Sequence, residues 1–427
     1  MGRFAGGPPG AGGFGNYALG PRVHAVRPWP VPGWSGRVVP VLNEAARPLA
    51  RLGVALFFAQ SAFNIYGASL PLYFAGLGFD PTLIGLLIGA TGVAELLGAL
   101  AVGPGIDRFG ARTLLLAGTG CYVVASLGYS ALTAAPALFL LRLIQGFGLA
   151  AVVPGTYSFV PHLVRSRAQT VAFATLGAAG NVAMAICPPL GLTLLLGVGP
   201  RSLFLTAAAL AAVAGFTVIG VPAAEPSKRP FGLTFRAAWL MPLLVGVLSV
   251  AQWGVIQAFV PIEASAANSN PALLFTADAI AVLASRIPAG WIADRYGPFR
   301  LALVGVIGMT LSPIVLLLPL NDGVLALAGV LNGAGAGLTL PPMLAQLSRR
   351  SDDRTRGTGL AYFSVAFAVG MIIGASGGGL LYPVLGFHGL LTLGALLCGC
   401  GILALLRDRL TMTVAVREKQ KLSDSFS

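Results

Sequence analysis

The sequence predicts an all-α membrane protein with twelve transmembrane helices in two six-helix pseudo-symmetric halves. Three observations carry that prediction. Of the 427 residues, 56% are hydrophobic and only 10% charged, too few charges to cover a soluble protein of this size. Twelve apolar runs reach the roughly 20 residues a helix needs to cross a bilayer core. A charged segment, Gly103-Pro-Gly-Ile-Asp107-Arg108-Phe-Gly110-Ala-Arg112, returns 187 residues later as Gly290-Trp-Ile-Ala-Asp294-Arg295-Tyr-Gly297-Pro-Phe-Arg300. Each copy lies between membrane-length runs, so the chain is an internal duplication.

The twelve spans fall near residues 52–75, 82–102, 113–134, 136–160, 169–194, 203–223, 238–262, 272–293, 301–320, 324–347, 358–383 and 389–406. They are too long and too uniformly apolar for the short alternating strands of a membrane barrel. The same 187-residue offset places Gln145-Gly146 on Asn332-Gly333, Pro154 on Pro341, Arg167 on Arg354 and Gly191 on Gly378. The expected organisation is a disordered Gly/Pro/Arg-rich tail at 1–48, a first half at 49–223, a polar linker at 224–237, a second half at 238–407 and a tail at 408–427. The first tail is too poor in apolar surface to fold and has no continuous apolar stretch to act as a signal peptide. No methionine follows Met1 until Met184, so one expectation is that this tail is translated upstream sequence.

The net charge of +13 follows from topology. With both termini inside, 24 of the 27 Lys and Arg residues fall on the cytoplasmic side, as the positive-inside rule requires. The basic balance therefore calls for no nucleic-acid partner. The expected location is a plasma or inner membrane, with the chain a multi-pass monomer in the bilayer. Cys121, Cys187, Cys398 and Cys400 all lie inside spans, which gives packing residues rather than a disulfide framework. There is no Walker loop, no His-Glu-x-x-His and no zinc-spaced cysteine pair. ATP-driven transport, enzyme chemistry and a bound cofactor or metal are accordingly not expected.

Ionisable groups at membrane depth are costly and mark function by default. Glu95 in span 2 and Asp278 in span 8 are candidate proton-coupling sites, because a buried carboxylic acid is neutral until solvent or a cation reaches it. Arg142 in span 4 has only Gly329 at its repeat position, so the charge is asymmetric between halves. It serves either as a substrate contact or as a structural group bonding backbone carbonyls. Arg286, one turn before Gly290, is expected to brace the adjacent loop. Amides supply the rest of the candidate cavity: Gln60 and Asn64 on one face of span 1, Gln145 in span 4, Asn181 in span 5, Gln252 and Gln257 in span 7, and Asn332 in span 10. At i,i+5 spacing, Gln252 and Gln257 point about 140° apart and cannot both face one narrow cavity.

The pattern Gly-x3-Asp-Arg-x-Gly, present at both repeated loops, resembles the loops between helices 2 and 3 and helices 8 and 9 of the major facilitator superfamily. Arg142-Leu-Ile-Gln145-Gly146 is similar to the Arg-x-x-Gln-Gly motif of its proton-coupled drug-exporter branch. Cys187-Pro188-Pro189-Leu190-Gly191 resembles that branch's Gly-Pro-x-x-Gly motif, with cysteine in place of the first glycine. The resemblance implies alternating access about a central cavity lined by helices 1, 4, 7 and 10, and exchange of a small organic solute for protons. It also implies that Gly103, Asp107, Arg108, Gly110 and Arg112, with Gly290, Asp294, Arg295, Gly297 and Arg300, form gating loops. Asp107 would meet the start of helix 11 near Gly357, and Asp294 the start of helix 5 near Gln169. Import of a sugar or organic anion, or a non-transporting scaffold with the same fold, are the alternatives.

Overall fold

The computed structural model describes residues 39–164, 166–221, 235–351 and 356–425. Most of the predicted first tail and most of the linker lie outside these ranges. The described residues form helices and turns. In the first half these are α1 (Val39–Asn64), α2 (Ser69–Gly76), α3 (Pro81–Phe109), α4 (Ala111–Ala131), α5 (Ala135–Ser158), the single turn α6 (Val160–Leu163), α7 (Ser166–Gly197) and α8 (Pro200–Ile219). The second half contains α9 (Leu240–Ala266), α10 (Ala272–Tyr296), α11 (Pro298–Val315), α12 (Asp322–Arg349), α13 (Arg356–Met371) and α14 (Gly378–Ser425).

Twelve spans follow from these fourteen helices. The first is broken: α1 ends at Asn64, and α2 resumes the crossing after a turn. The eleventh runs through α13 and a π-helical stretch, Ile372–Gly377, into α14. Gly386, at φ 62° inside α14, turns the chain into the twelfth. Ten described helices are long and apolar enough to cross a membrane. The eleventh and twelfth spans form one continuous helical run, and α10 contains residues that lie outside the described set. Helix α1 starts at Val39, inside the predicted tail, and α14 runs on to Ser425, through most of the second one.

Local sequence explains where several helices begin. Asp80 caps α3 by accepting a hydrogen bond from the Leu83 backbone N–H at 2.9 Å, and Pro81 takes the first helical position, where no N–H is required. Prolines open α5, α8 and α11 in the same way.

The contacts repeat with the sequence. Helix α5 packs on α3 and α4, and α12 packs on α10 and α11. Helix α8 bridges α1 and α4, as α14 bridges α9 and α11. The halves meet where α7 lies on α10 and where α3 lies on α13, the π-helical stretch and α14. The close approaches are also duplicated. A Cβ on Gly146 would sit 2.7 Å from the Ala94 methyl, and one on Gly333 would collide with the backbone of Asp278. Glycine at these equivalent positions therefore lets α5 and α12 lie backbone-close on α3 and α10.

The buried core differs between the two ends. Away from the Asp-Arg loops, one apolar cluster joins both halves, running from Ile65, Leu70 and Phe74 through Phe204 to Phe259, Phe275 and Leu390. At the loop end, the described clusters each belong to one half: Leu52, Leu56, Tyr122 and Phe159 in the first, and Val306, Met343 and Leu405 with the separate Trp239–Leu347 group in the second. Among the described residues, the halves thus share an apolar cluster at one end only.

Candidate functional site

Two of the cavities formed by the described residues lie centrally between the halves. The first, of about 240 Å³, is walled by Gln60 and Asn64 from α1, Thr91 and Glu95 from α3, Arg142 from α5, and Gln257 from α9. The second, of about 190 Å³, is walled by Asn181 from α7, Ser249 from α9, Asp278, Val282 and Arg286 from α10, and Asn332, Thr339 and Met343 from α12. Met184, Trp253 and Phe367 line both. These three side chains form the partition between the cavities.

Each half ties its polar groups into a knot at the same repeat position. In the first half the hub is Gln145. Its Oε1 accepts from Arg142 Nη1 at 2.8 Å and from the Tyr129 hydroxyl at 3.1 Å. Arg142 also donates from Nε to the Leu87 carbonyl at 2.9 Å and from Nη2 to the Ile88 carbonyl at 2.8 Å. The guanidinium is therefore braced against α3 in the way a structural arginine would be, while it also faces the first cavity. A guanidinium has five N–H donors, and three bonds leave two of them for another partner.

In the second half the hub is Asn332, the repeat equivalent of Gln145. It donates from Nδ2 to Asp278 Oδ1 at 2.6 Å and accepts at Oδ1 from Gln252 Nε2 at 2.6 Å. A chain of hydrogen bonds thus runs from α9 through α12 to α10, ending on a carboxyl group that is 1% exposed. The Oε1 of the Gln252 amide is buried without a partner among the described residues. One knot is built on a cation and the other on an acid, so the asymmetry read from Arg142 and Gly329 has a counterpart in Thr91 and Asp278.

The expected cavity residues divide between wall and interior. Gln60, Asn64, Arg142 and Gln257 reach the first cavity, and Asn181 and Asn332 the second. Gln145 and Gln252 line neither. They lie behind the wall, because an amide buried between helices in an apolar medium must find a partner. Asn64 turns its own amide back to the Gln60 carbonyl at 2.8 Å. Glu95 reaches the first cavity and makes no hydrogen bond or ion pair among the described residues. Arg286, expected at the loop, stands in the wall of the second cavity.

The repeated loops keep the geometry of the repeat. Gly110 and Gly297 turn between helices at φ 80° and 88°, a region that strains any residue with a Cβ. The Arg108 and Arg295 guanidinium carbons lie 5.1 Å and 5.7 Å from the centres of the neighbouring Phe109 and Tyr296 rings. Arg112 Nη2 donates to the Ile219 carbonyl at 2.6 Å, and Arg51 Nη1 to the Gly220 carbonyl at 2.6 Å. Those two bonds stay within the first half and close the end of α8. Arg300 is exposed. Gly103 and Gly290 fall within α3 and α10, and the side chains of Asp107 and Asp294 lie outside the described set.

The partition was missed by sequence reading. Trp253 packs edge-on against Phe275, with ring centres 5.7 Å apart. Its signal was available: a tryptophan in mid-span, away from the interfacial belts that tryptophan favours. Met184 and Phe367 carry no such mark among the many apolar residues of their helices.

Comparison with known proteins agrees with this architecture. The chain is 27% identical over 363 residues to an uncharacterized MFS-type transporter of Salmonella typhimurium, covering 81% of this chain and 92% of that protein. It is 25% identical to the chromaffin granule amine transporter of Rattus norvegicus, over 73% of this chain and 62% of that protein. A shorter match, 32% identical over 34% of this chain and 35% of its relative, is to a chloramphenicol resistance protein of Pseudomonas aeruginosa. Among solved structures, the nucleoside transporter NupG superposes with a TM-score of 0.68 at 14% identity, covering 86% of this chain and 99% of that one. A POT family transporter in complex with a thioalcohol conjugated peptide superposes with a TM-score of 0.74 at 15% identity, over 86% and 96%. The profile of the Major Facilitator Superfamily matches residues 52–265 and 242–426, nearly the whole described chain. With twelve spans in two repeated halves around a central pair of cavities, the chain belongs to the Major Facilitator Superfamily and is a multi-pass membrane transporter.

Proposed function

We propose that this transporter exports a small organic solute in exchange for protons, with the loop end and both termini in the cytoplasm of a plasma or inner membrane. The observation that carries this reading is the placement of Glu95, Asp278, Arg142 and Arg286. Four ionisable side chains from opposite halves face the central cavities, and no carboxylate among them is joined to a cation by an ion pair among the described residues. Charges at that depth are expensive, and a scaffold with no solute to move has no use for them. Rocking of the halves about the cavities exposes the acids to each side in turn, which is what loading and unloading a proton requires. The seal at the end away from the loops fits a state open towards the cytoplasm. The repeated loops, with Asp107 and Asp294, are then the gate that forms when that side closes.

The drug-exporter motifs and the similarity to a chloramphenicol resistance protein support export. The two spare N–H groups of Arg142 favour a second reading, uptake of an organic anion. The similarity to a 3-(3-hydroxy-phenyl)propionate transporter of Escherichia coli, 26% identical over 34% of this chain, supports that alternative.

Proteoliposome transport with and without an imposed pH gradient tests the proposal. Asp278→Asn should abolish gradient-driven accumulation and keep solute exchange, since exchange need not release the proton. Wild-type response to the gradient in both Asp278→Asn and Glu95→Gln would place the proton elsewhere or show uncoupled transport.

A further inference from the structure

The first cavity leaves both kinds of hydrogen-bonding group unsatisfied. Arg142 has spare donors, and the Thr91 hydroxyl, 5% exposed, has no partner. Gln60 Oε1 is buried without a donor, and Glu95 is unpartnered. Arg142 and Glu95 share this cavity but form no ion pair with each other. A guanidinium and a carboxyl group held apart in one cavity are complementary to a ligand that carries both charges, whose ammonium is the cation that ionises the acid.

The second cavity is different in kind. Apart from Asp278, Arg286 and a few amide and hydroxyl groups, its wall is apolar and includes Val250, Val282, Met309, Leu340, Met343 and Phe363. The partition between the two consists of an indole, a phenyl ring and a thioether, the surfaces on which an aromatic ring packs well.

From these juxtapositions we infer that the solute is an aromatic zwitterion lying across the Trp253 partition. Its carboxylate accepts from Arg142 and Thr91, its ammonium donates to Glu95 and Gln60, and its ring lies against Trp253 and Phe367 with its edge in the second cavity. The inference rests on the transporter reading and divides the two acids: Glu95 serves the solute head, while Asp278, held by Asn332, is left for the proton. Trp253 becomes a specificity-determining residue.

The test uses the purified full chain and three probes that share one phenylethyl body: L-phenylalanine, 3-phenylpropionate and 2-phenylethylamine. Their heads carry both charges, the anion alone and the cation alone. Calorimetric titration should show phenylalanine binding about tenfold or more tighter than either other probe. Glu95→Gln should remove that advantage and leave 3-phenylpropionate unchanged. Gln60→Leu, which removes the other unpartnered acceptor, should act in the same direction and covers the case in which Glu95→Gln does not fold. Trp253→Ala should weaken all three probes alike, because it removes the shared ring contact.

Equal binding of the three probes, or tighter binding of either singly charged probe, overturns the inference. So does a Glu95→Gln variant that weakens all three equally. Binding is measured without a gradient, so the two readings fail separately. Tight phenylalanine binding with no transport by the wild type sinks the transporter proposal alone. Transport of 3-phenylpropionate with no preference for the zwitterion sinks the zwitterion alone.

Discussion

At the scale of single residues, Gln145 and Asn332 show how one inherited position can serve opposite charges. An amide both donates and accepts, so the same place in the repeat can receive a guanidinium in one half and address a carboxyl group in the other. Asn332→Leu should cut the Gln252–Asn332–Asp278 chain at both bonds. Leaving Gln252 and Asp278 without their partner should cost about 1–3 kcal/mol for each buried group, read as a lower melting temperature in detergent. It should also shift the pH dependence of transport, as a merely structural loss would not. An unchanged pH profile would mean that the chain only glues helices. The sequence made the members of both knots visible, since Arg142, Asp278 and the paired amides are rare polar residues in apolar runs. It did not show that Gln145 and Gln252 turn away from the cavity, because that depends on rotamers set by neighbouring helices. Nor could it show that Glu95 stands unpartnered, which is a fact about the distance between α3 and every other charged group.

At the scale of elements, the duplicated turns give a test in which each half controls for the other. Gly110 and Gly297 adopt nearly the same backbone, φ 80° and ψ 151° against φ 88° and ψ 142°. Alanine at either place should cost about 1–3 kcal/mol of backbone strain, with equal melting-temperature losses for Gly110→Ala and Gly297→Ala. A loss confined to one of them would show that only that turn is held rigidly by its surroundings. Most helix ends were legible to within a few residues, because a membrane-length apolar run is a strong signal; α1, α3 and α14 run further into loops and tails than hydropathy marks. Their breaks were not. The π-helical stretch before α14 carries no proline, and Pro71 in the first turn of α2 marks a helix start without showing that α1 ends at Asn64. Both breaks arise where a span packs across the seam between halves, a tertiary demand that hydropathy does not record.

At the scale of the whole molecule, the two-fold repeat was the most legible property, because duplication preserves spacing even after side chains diverge. A single cysteine replacing Asn268, the exposed positive-φ residue that ends α9, should react with an impermeant maleimide in intact cells, in a background stripped of the four native cysteines. Labelling only after permeabilisation would invert the proposed topology and place the sealed end in the cytoplasm.

The one-sided apolar seal has a thermal consequence. Parting the halves at that end brings side chains such as Ile65, Phe259, Phe275 and Leu390 towards water. Wetting apolar surface raises heat capacity, by about 0.45 cal/mol/K for each Å². The two orientations of the transporter therefore differ in heat capacity, and the balance between them must curve with temperature. Because apolar association weakens on cooling, cold should favour the orientation in which the seal is broken. Spin-label distances across the seal, followed through a cooling series in nanodiscs, should show the longer separation gaining population. A population independent of temperature would mean that lipid or other protein groups, rather than water, cover the seal when it opens.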